Sequence, residues 1–303
     1  MDINFELYKV FYTVARTGSF SQAAKGLFIS QSAVSQSIRG LEENAGCPLF
    51  IRGARNVRLT SAGEMLFSHV EQAYNLLKSA ENKLLEMQSL RFGEIKIGVG
   101  DTILKYLLTP YLQQFIRDYP KIKIQIINRT SPGIIDSIKR GAVDFGLVTL
   151  PVNDRDIETT LFREVEDVFV ASQRFNQLSG REVGISELST VPLLLLQKES
   201  ATRRNLDEYF TLKGLVITPE IELESMDLLV EYSRIGLGVA HVLKESADAL
   251  ISAGELFALK LAEPIPKRKL GVAKQKNVPL SQAASQFASI LTATKNSWSS
   301  IQK

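Results

Sequence analysis

Cysteine is almost absent from this sequence: Cys47 stands alone among 303 residues, which excludes an intramolecular disulfide and a zinc site built on cysteines. Histidine is nearly as scarce, and His69 and His241 leave little material for imidazole-based acid–base or metal chemistry. No apolar run approaches the roughly 18 residues that a membrane helix needs. Met1 to Glu6 carries two acids where a signal peptide would need a basic patch. These absences predict a soluble cytoplasmic protein with no membrane partner. A Gly-x-Ser-x-Gly elbow and a phosphate-binding loop with its lysine are both missing. Gly98-Val99-Gly100 follows a predicted strand, but Ile103 occupies the place of the third glycine of a dinucleotide fingerprint. The sequence therefore predicts no enzyme, no cofactor and no metal.

Hydrophobic residues make up 45% of the chain and charged residues 23%, a composition that folds, and the length suggests two or three domains. Net charge is only +3, yet it is unevenly spread. The first 60 residues hold seven basic side chains against four acidic ones, so the whole surplus lies there. A nucleic-acid contact belongs in that segment.

The pattern in this segment is specific. Leu7, Phe11 and Val14 predict a helix from Phe5 to Arg16, and a second runs from the Ser19–Ser21 region to Leu27. After the short link Phe28-Ile29-Ser30, Ser30 is a natural cap for a third helix from Gln31 to about Ala45, ended by Gly46. Val34, Ile38 and Leu41 form its buried stripe, which leaves Gln31, Ser32, Ser35, Gln36 and Arg39 on the opposite face. Glutamine can make a bidentate contact to adenine in the major groove, and serine reaches base edges or phosphates. Leu49 to Arg52 and Val57 to Thr60 then predict a small hairpin bearing Arg52, Arg55 and Arg58, a wing placed for phosphates or the minor groove. The alternative is a binding module whose N-terminal helices meet protein rather than DNA, and a shallow salt dependence would favour it.

The run from Gly18 to Gly63 resembles the N-terminal signature of the LysR-type transcriptional regulators. Its parts are "SFSQAA", "SQSAVSQSIRGLE", "PLFIR" and "LTSAG", at fixed mutual spacing. The resemblance implies a sequence-specific DNA-binding regulator whose Gln31, Ser32, Ser35 and Gln36 face bases or phosphates. It also implies that Ser21 meets phosphate and that Arg52, Arg55 and Thr60 anchor the wing side. Ser32 stands where the family often has proline and Gln36 where it often has arginine, so adenine readout is expected at Gln36.

Thr60 or Ser61 can cap the next helix, with Glu64 completing a capping box after Ser61. Leu66, Val70, Ala73, Leu77, Ala80, Leu84 and Met87 alternate spacings of four and three, the period of a coiled-coil seam. A two-fold dimer would present two recognition helices to a pseudo-palindromic site in double-stranded DNA. The resemblance implies the same, with dimer and tetramer both open and RNA polymerase a candidate partner.

From Gly93 strands alternate with helices, and the cadence "SIKRGAVDFGLV" (Ser137 to Val148) is echoed by "YSRIGLGVAHV" (Tyr232 to Val242). Such order predicts mostly parallel sheets in two similar α/β lobes. The resemblance to LysR-type effector domains, similar in turn to periplasmic binding proteins, assigns the returning strand from Lys269 to the first lobe. The expected fold is thus an α/β protein with an α-rich winged helix-turn-helix (1–60), a linker helix (61–91) and a two-lobed effector-binding domain (92–303). Its first lobe would span about 92–162 and 267–303, and its second about 163–266. Ligands of open α/β sheets sit beyond the carboxyl ends of the strands. Asp101, Thr102, Thr130, Ser131, Ser200, Thr202, Arg203 and Ser225 follow such ends and are the candidate effector contacts. Hydroxyls at helix starts suit a small anion, with Arg129, Arg203 and Arg234 as candidate counter-charges. The expected mechanism is closure of the lobes on a small effector, which changes the spacing of the DNA-binding units.

Overall fold

The computed structural model of the protein describes residues 4–52, 57–88 and 93–293. Two compact units divide the chain: residues 1–88 with 139–142, and residues 89–138 with 143–303. No helix among the described residues is long and apolar enough to cross a membrane.

The first unit is built by local signals. Helix α1 (Phe5–Thr17) starts where the Asn4 side chain accepts from the Glu6 amide and ends at Gly18, whose φ of 62° suits glycine. Ser19 and Ser30 accept from the amides of Gln22 and Ala33, fixing the starts of α2 (Phe20–Leu27) and α3 (Gln31–Ala45). Val34, Ile38 and Leu41 of α3 are fully buried against Phe11 and Val14 of α1. Strands β1 (Phe50–Arg52) and β2 (Val57–Leu59) pair antiparallel with Ile51 opposite Arg58. The long helix α4 (Ser61–Gln88) begins at Thr60, whose hydroxyl accepts from the Gly63 amide and donates to the Pro48 carbonyl. The capping residue is therefore Thr60, and Glu64 does not occupy the third helical position that a capping box needs.

In the second unit, β3 (Gly93–Val99) leads into one continuous helical stretch. It comprises α5 (Asp101–Ile103), a single π-helical segment at Leu104–Leu108, and α6 (Thr109–Asp118). Then follow β4 (Ile122–Asn128), α7 (Ser131–Lys139), β5 (Phe145–Thr149), β6 (Ile157–Val165) and β7 (Asp167–Ala171). The second half contains β8 (Glu182–Val183), β9 (Leu193–Leu196), α8 (Ala201–Leu212), β10 (Ile221–Leu223), α9 (Met226–Arg234), β11 (Val239–Leu243) and α10 (Lys244–Ser252). It closes with β12 (Phe257–Ala258), β13 (Lys260–Leu261), β14 (Arg268–Gln275) and α11 (Gln282–Ala293).

Two five-stranded sheets result, in the orders β4-β3-β5-β14-β6 and β10-β9-β11-β7-β12, with β13 paired to β8 apart from them. Each sheet has three parallel strands followed by an antiparallel one that arrives from the other lobe, β14 in the first and β7 in the second. The repeat expected from the sequence is therefore a repeat of topology. Strands β6 and β7 and helix α10 carry no recognisable local signal in the sequence. Glycine is required where α7 meets the first sheet: a Cβ on Gly146 would stand 2.2 Å from Ile134 Cγ2, and one on Gly98 2.9 Å from it. That close approach sets the position of the α7 N-terminus.

His241 lies inside the second sheet, 2% exposed, with its ring 4.9 Å from that of Phe169. Burial outweighs the opposing pull of the Asp167 carboxylate and pushes its pKa from 6.5 down to about 4. The folded protein holds the ring neutral, whereas the unfolded chain takes up a proton as pH falls through 6.5. Stability from this group is full above pH 6.5 and declines by about 3 kcal/mol by pH 4. Urea titrations across that window should show the decline, and His241→Leu should flatten it.

Candidate functional site

The third helix presents its polar face to solvent. Gln31, Ser32, Gln36 and Arg39 are exposed and Ser35 is half-buried. The Ser21 hydroxyl donates to Gln31 Oε1 at 3.0 Å, so α2 and α3 share one polar surface. Ser30 and Ser32 hydroxyls lie 2.8 Å apart. Arg58 is exposed on β2, Arg52 ends β1, and Arg55 lies outside the described residues. Thr60, expected to anchor the wing to DNA, has its hydroxyl committed to Pro48 and Gly63 as described above.

One residue of this unit went unrecognised in the sequence. Glu42 is half-buried near the end of α3, and its Oε1 accepts from the amides of Leu49 (2.8 Å) and Phe50 (3.1 Å). A single carboxylate thus fastens the start of the hairpin to the end of α3. Its signal was the acid in "GLE" seven residues ahead of Leu49, a spacing without local periodicity. Removing it leaves two amides without their charged acceptor, so Glu42→Ala should destabilise this unit by about 2 kcal/mol. Thermal unfolding should report the loss, and Glu42→Gln should recover part of it.

Helix α4 divides its apolar stripe. Leu66, Phe67 and Val70 pack on the core of the first unit, which accounts for the first two seam positions without a partner chain. Further along, Ala73, Leu76, Leu77 and Ala80 are exposed, Leu76 at 52% and Leu77 at 47%. The side chains of Leu84 and Met87 lie outside the described residues.

A cleft of about 480 Å³ opens in the α/β unit between the two sheets' helices α7 and α8. Ser131 and Pro132 at the start of α7 and Ala201 at the start of α8 line it, facing Thr149 at the end of β5 and the following loop. Ser131 Oγ accepts from the Thr149 amide at 3.2 Å. Of the eight expected effector contacts, Ser131 alone is in this lining. Asp101 accepts from Asn128 Nδ2 at 2.5 Å, and Thr102 is half-buried. Thr130 is exposed and its carbonyl accepts from Ile134. Ser200 and Ser225 cap α8 and α9, accepting from Arg203 and Leu228, and Thr202 is buried.

Arg203, expected as a counter-charge, is only 2% exposed. It bonds Asp207 Oδ1 at 2.8 Å, Glu222 Oε2 at 3.0 Å and the Leu196 carbonyl at 3.0 Å. Its charge is met from within, and it ties α8 to β9 and β10 rather than facing a ligand. Arg234 pairs with Glu231 and Glu255. Asn205 and Arg204 of α8 line the cleft instead.

A winged helix-turn-helix joined to a two-lobed α/β unit with a cleft between its lobes defines a DNA-binding protein that carries its own small-molecule sensor. Two family models match this chain: the bacterial regulatory helix-turn-helix protein of the lysR family over residues 5–64, and the LysR substrate binding domain over residues 88–295. The chain belongs to the LysR family of transcriptional regulators, and such regulators are not enzymes. It is 30% identical to the HTH-type transcriptional regulator YfeR of Shigella flexneri, over 94% of this chain and 92% of that one. Among solved structures it is similar to full-length OxyR of Pseudomonas aeruginosa, with a TM-score of 0.75 and 20% identity over 96% and 95% of the two chains. It is also similar to full-length CbnR complexed with its target DNA, with a TM-score of 0.69 and 17% identity over 96% and 99%.

Proposed function

We propose that residues 1–60 read a pseudo-palindromic DNA site, residues 61–91 pair two chains, and residues 92–303 sense a small effector that sets the geometry of the reader. The exposed polar face of α3, with Gln31, Ser32, Gln36 and Arg39 in solvent and the acids Glu42 and Glu43 confined to its far end, is the observation that carries the DNA-reading part. Gln31, Ser35 and Gln36 read bases, with Gln36 reading adenine. Ser21, Ser32, Arg39, Arg52, Arg55 and Arg58 meet phosphates or the minor groove. Pairing along α4 is supported by the exposed Ala73, Leu77 and Ala80, and a dimer suits a two-fold DNA site. A role on DNA supports a cytoplasmic location.

Effector binding in the cleft that Ser131 and Ala201 line would change the relation of the lobes. Lys105 Nζ reaches Asp227 Oδ2 at 2.6 Å and Arg163 Nη2 reaches Glu245 Oε1 at 2.9 Å, and these two ion pairs already join the first lobe to the second. A ligand that binds one arrangement more tightly shifts the population toward it.

Salt dependence tests the DNA reading. Affinity for random duplex should fall about 10³-fold or more between about 50 mM and about 200 mM salt. Arg39→Ala and Arg58→Ala should each lower the salt slope by about 1. A flat dependence would assign the N-terminal unit to protein contacts instead.

A further inference from the structure

The cleft holds a charge pattern that neither a simple anion nor a simple cation satisfies. Asp136, Asp154 and Glu208 line it, against Arg204 as the one cationic side chain of its lining, and Arg204 Nη1 donates to the Glu199 carbonyl at 2.8 Å. A plain carboxylate or phosphate would meet three acids.

The opposite charge is disfavoured at the other end of the same cleft. There the first turns of α7 and α8 converge, and leading amides such as those of Ala201 and Thr202 have no intrahelical acceptor. Helix starts favour negative charge. Asn205, in the lining, adds an independent sign of an absent acceptor: its Nδ2 is buried and has no hydrogen-bond partner. Ile135, Leu150 and Val152 make an apolar wall alongside.

Spacing along the helices gives the ligand a length. From Ser131 to Asp136 is five residues and from Ala201 to Glu208 is seven, which at 1.5 Å per residue is roughly 7–10 Å. Side chains lean toward the helix N-terminus, which brings the carboxylates somewhat nearer to the amides. An α-amino acid with a neutral side chain holds its two charges much closer together than this. A cationic group about six bonds from a carboxylate, at about 1.2 Å per bond of extended chain, spans roughly 7 Å.

We propose that the effector is a small zwitterion with a terminal cationic group, an ω-amino or diamino carboxylic acid. Its carboxylate lies at the first turns of α7 and α8 beside the Ser131 hydroxyl, and Asn205 Nδ2, buried in the unliganded chain, gains it as an acceptor once the side chain turns toward the cleft. Its cationic end lies at Asp136 and Glu208, and its methylenes lie along the apolar wall. The assignment rests on the reading of this cleft as the effector site.

Thermal unfolding of the full chain with matched probes tests it. 6-Aminohexanoate or L-lysine, at about a hundredfold over its Kd, should raise Tm by roughly 5–10 °C. Hexanoate, pentylamine and L-leucine should give no comparable rise. The pair Asp136→Asn and Glu208→Gln, both exposed and conservative, should weaken zwitterion binding about tenfold or more while leaving the unliganded Tm unchanged. A rise with hexanoate equal to that with 6-aminohexanoate, no rise with either zwitterion, or indifference to the carboxamide variants overturns the zwitterion. Ala201→Trp, which fills the cleft, separates this from the parent reading. A hexanoate shift abolished by Ala201→Trp keeps the cleft and removes the zwitterion, whereas a zwitterion shift that survives Ala201→Trp removes the cleft itself.

Discussion

Gln31→Ala combined with Gln36→Ala should lower the preference for the cognate site over random duplex by roughly a hundredfold or more, with affinity for random duplex nearly unchanged. The expectation follows from the separation of roles on α3. Each bidentate amide contact discriminates by about 1–3 kcal/mol, whereas Arg39 and Arg58 supply attraction that is blind to sequence. Gln31 is held by the Ser21 hydroxyl on its Oε1, so its side chain is already restrained, and less side-chain entropy is lost on docking. Ser21→Ala should therefore show a milder loss in the same direction. Fluorescence anisotropy on cognate and scrambled duplexes at one fixed salt concentration measures both. Equal losses on the two duplexes would mean that the glutamines act only through general attraction, and base reading would have to lie elsewhere.

Asp167→Ala should cost about 3–5 kcal/mol of stability in the α/β unit, measured by urea unfolding. Asp167 and Arg268 are 1% and 5% exposed, joined by two hydrogen bonds of which Nη2 to Oδ1 is 2.7 Å. Arg268 Nη1 also reaches Thr149 Oγ1 at 3.4 Å. The pair sits at the first residues of β7 and β14, the two strands by which the chain passes between the lobes. Truncating one partner leaves a desolvated guanidinium without its counter-charge. Asp167→Leu together with Arg268→Met removes both charges and should cost clearly less than the single change. A single substitution below about 1 kcal/mol would show that water reaches the arginine and that the pair does not secure the crossover.

What could be read from the sequence was whatever is encoded over a few neighbouring residues. Ser19, Ser30, Gly18 and Gly46 mark helix ends by side-chain and backbone chemistry that acts within one turn, and all four stand where that chemistry requires. The stripe of Val34, Ile38 and Leu41 is likewise a local period, and all three are fully buried. What escaped depends on distant partners. Strand β6 is largely polar because most of it is exposed, and it exists through pairing with β14, more than a hundred residues later. Arg203 follows a strand end, and that position alone reads as an effector contact and counter-charge. It is buried because Asp207 and Glu222 converge on it, and Glu222 comes from a strand that only the fold brings near. The π-helical segment at Leu104–Leu108 interrupts what reads as one uniform helix, and the residues there give no warning of it.

The interleaving of strands between lobes also dictates an order of assembly. The second sheet draws its strands from one continuous stretch, β7 to β12, and is complete once that stretch has emerged from the ribosome. The first sheet is not, because β14 lies between β5 and β6 and is made last. Until residue 275 has been synthesised, β5 and β6 are two facing edges with a gap one strand wide. A nascent chain therefore carries an open, pairing-competent slot through the whole synthesis of its other lobe, and a chain truncated anywhere before β14 keeps that slot permanently.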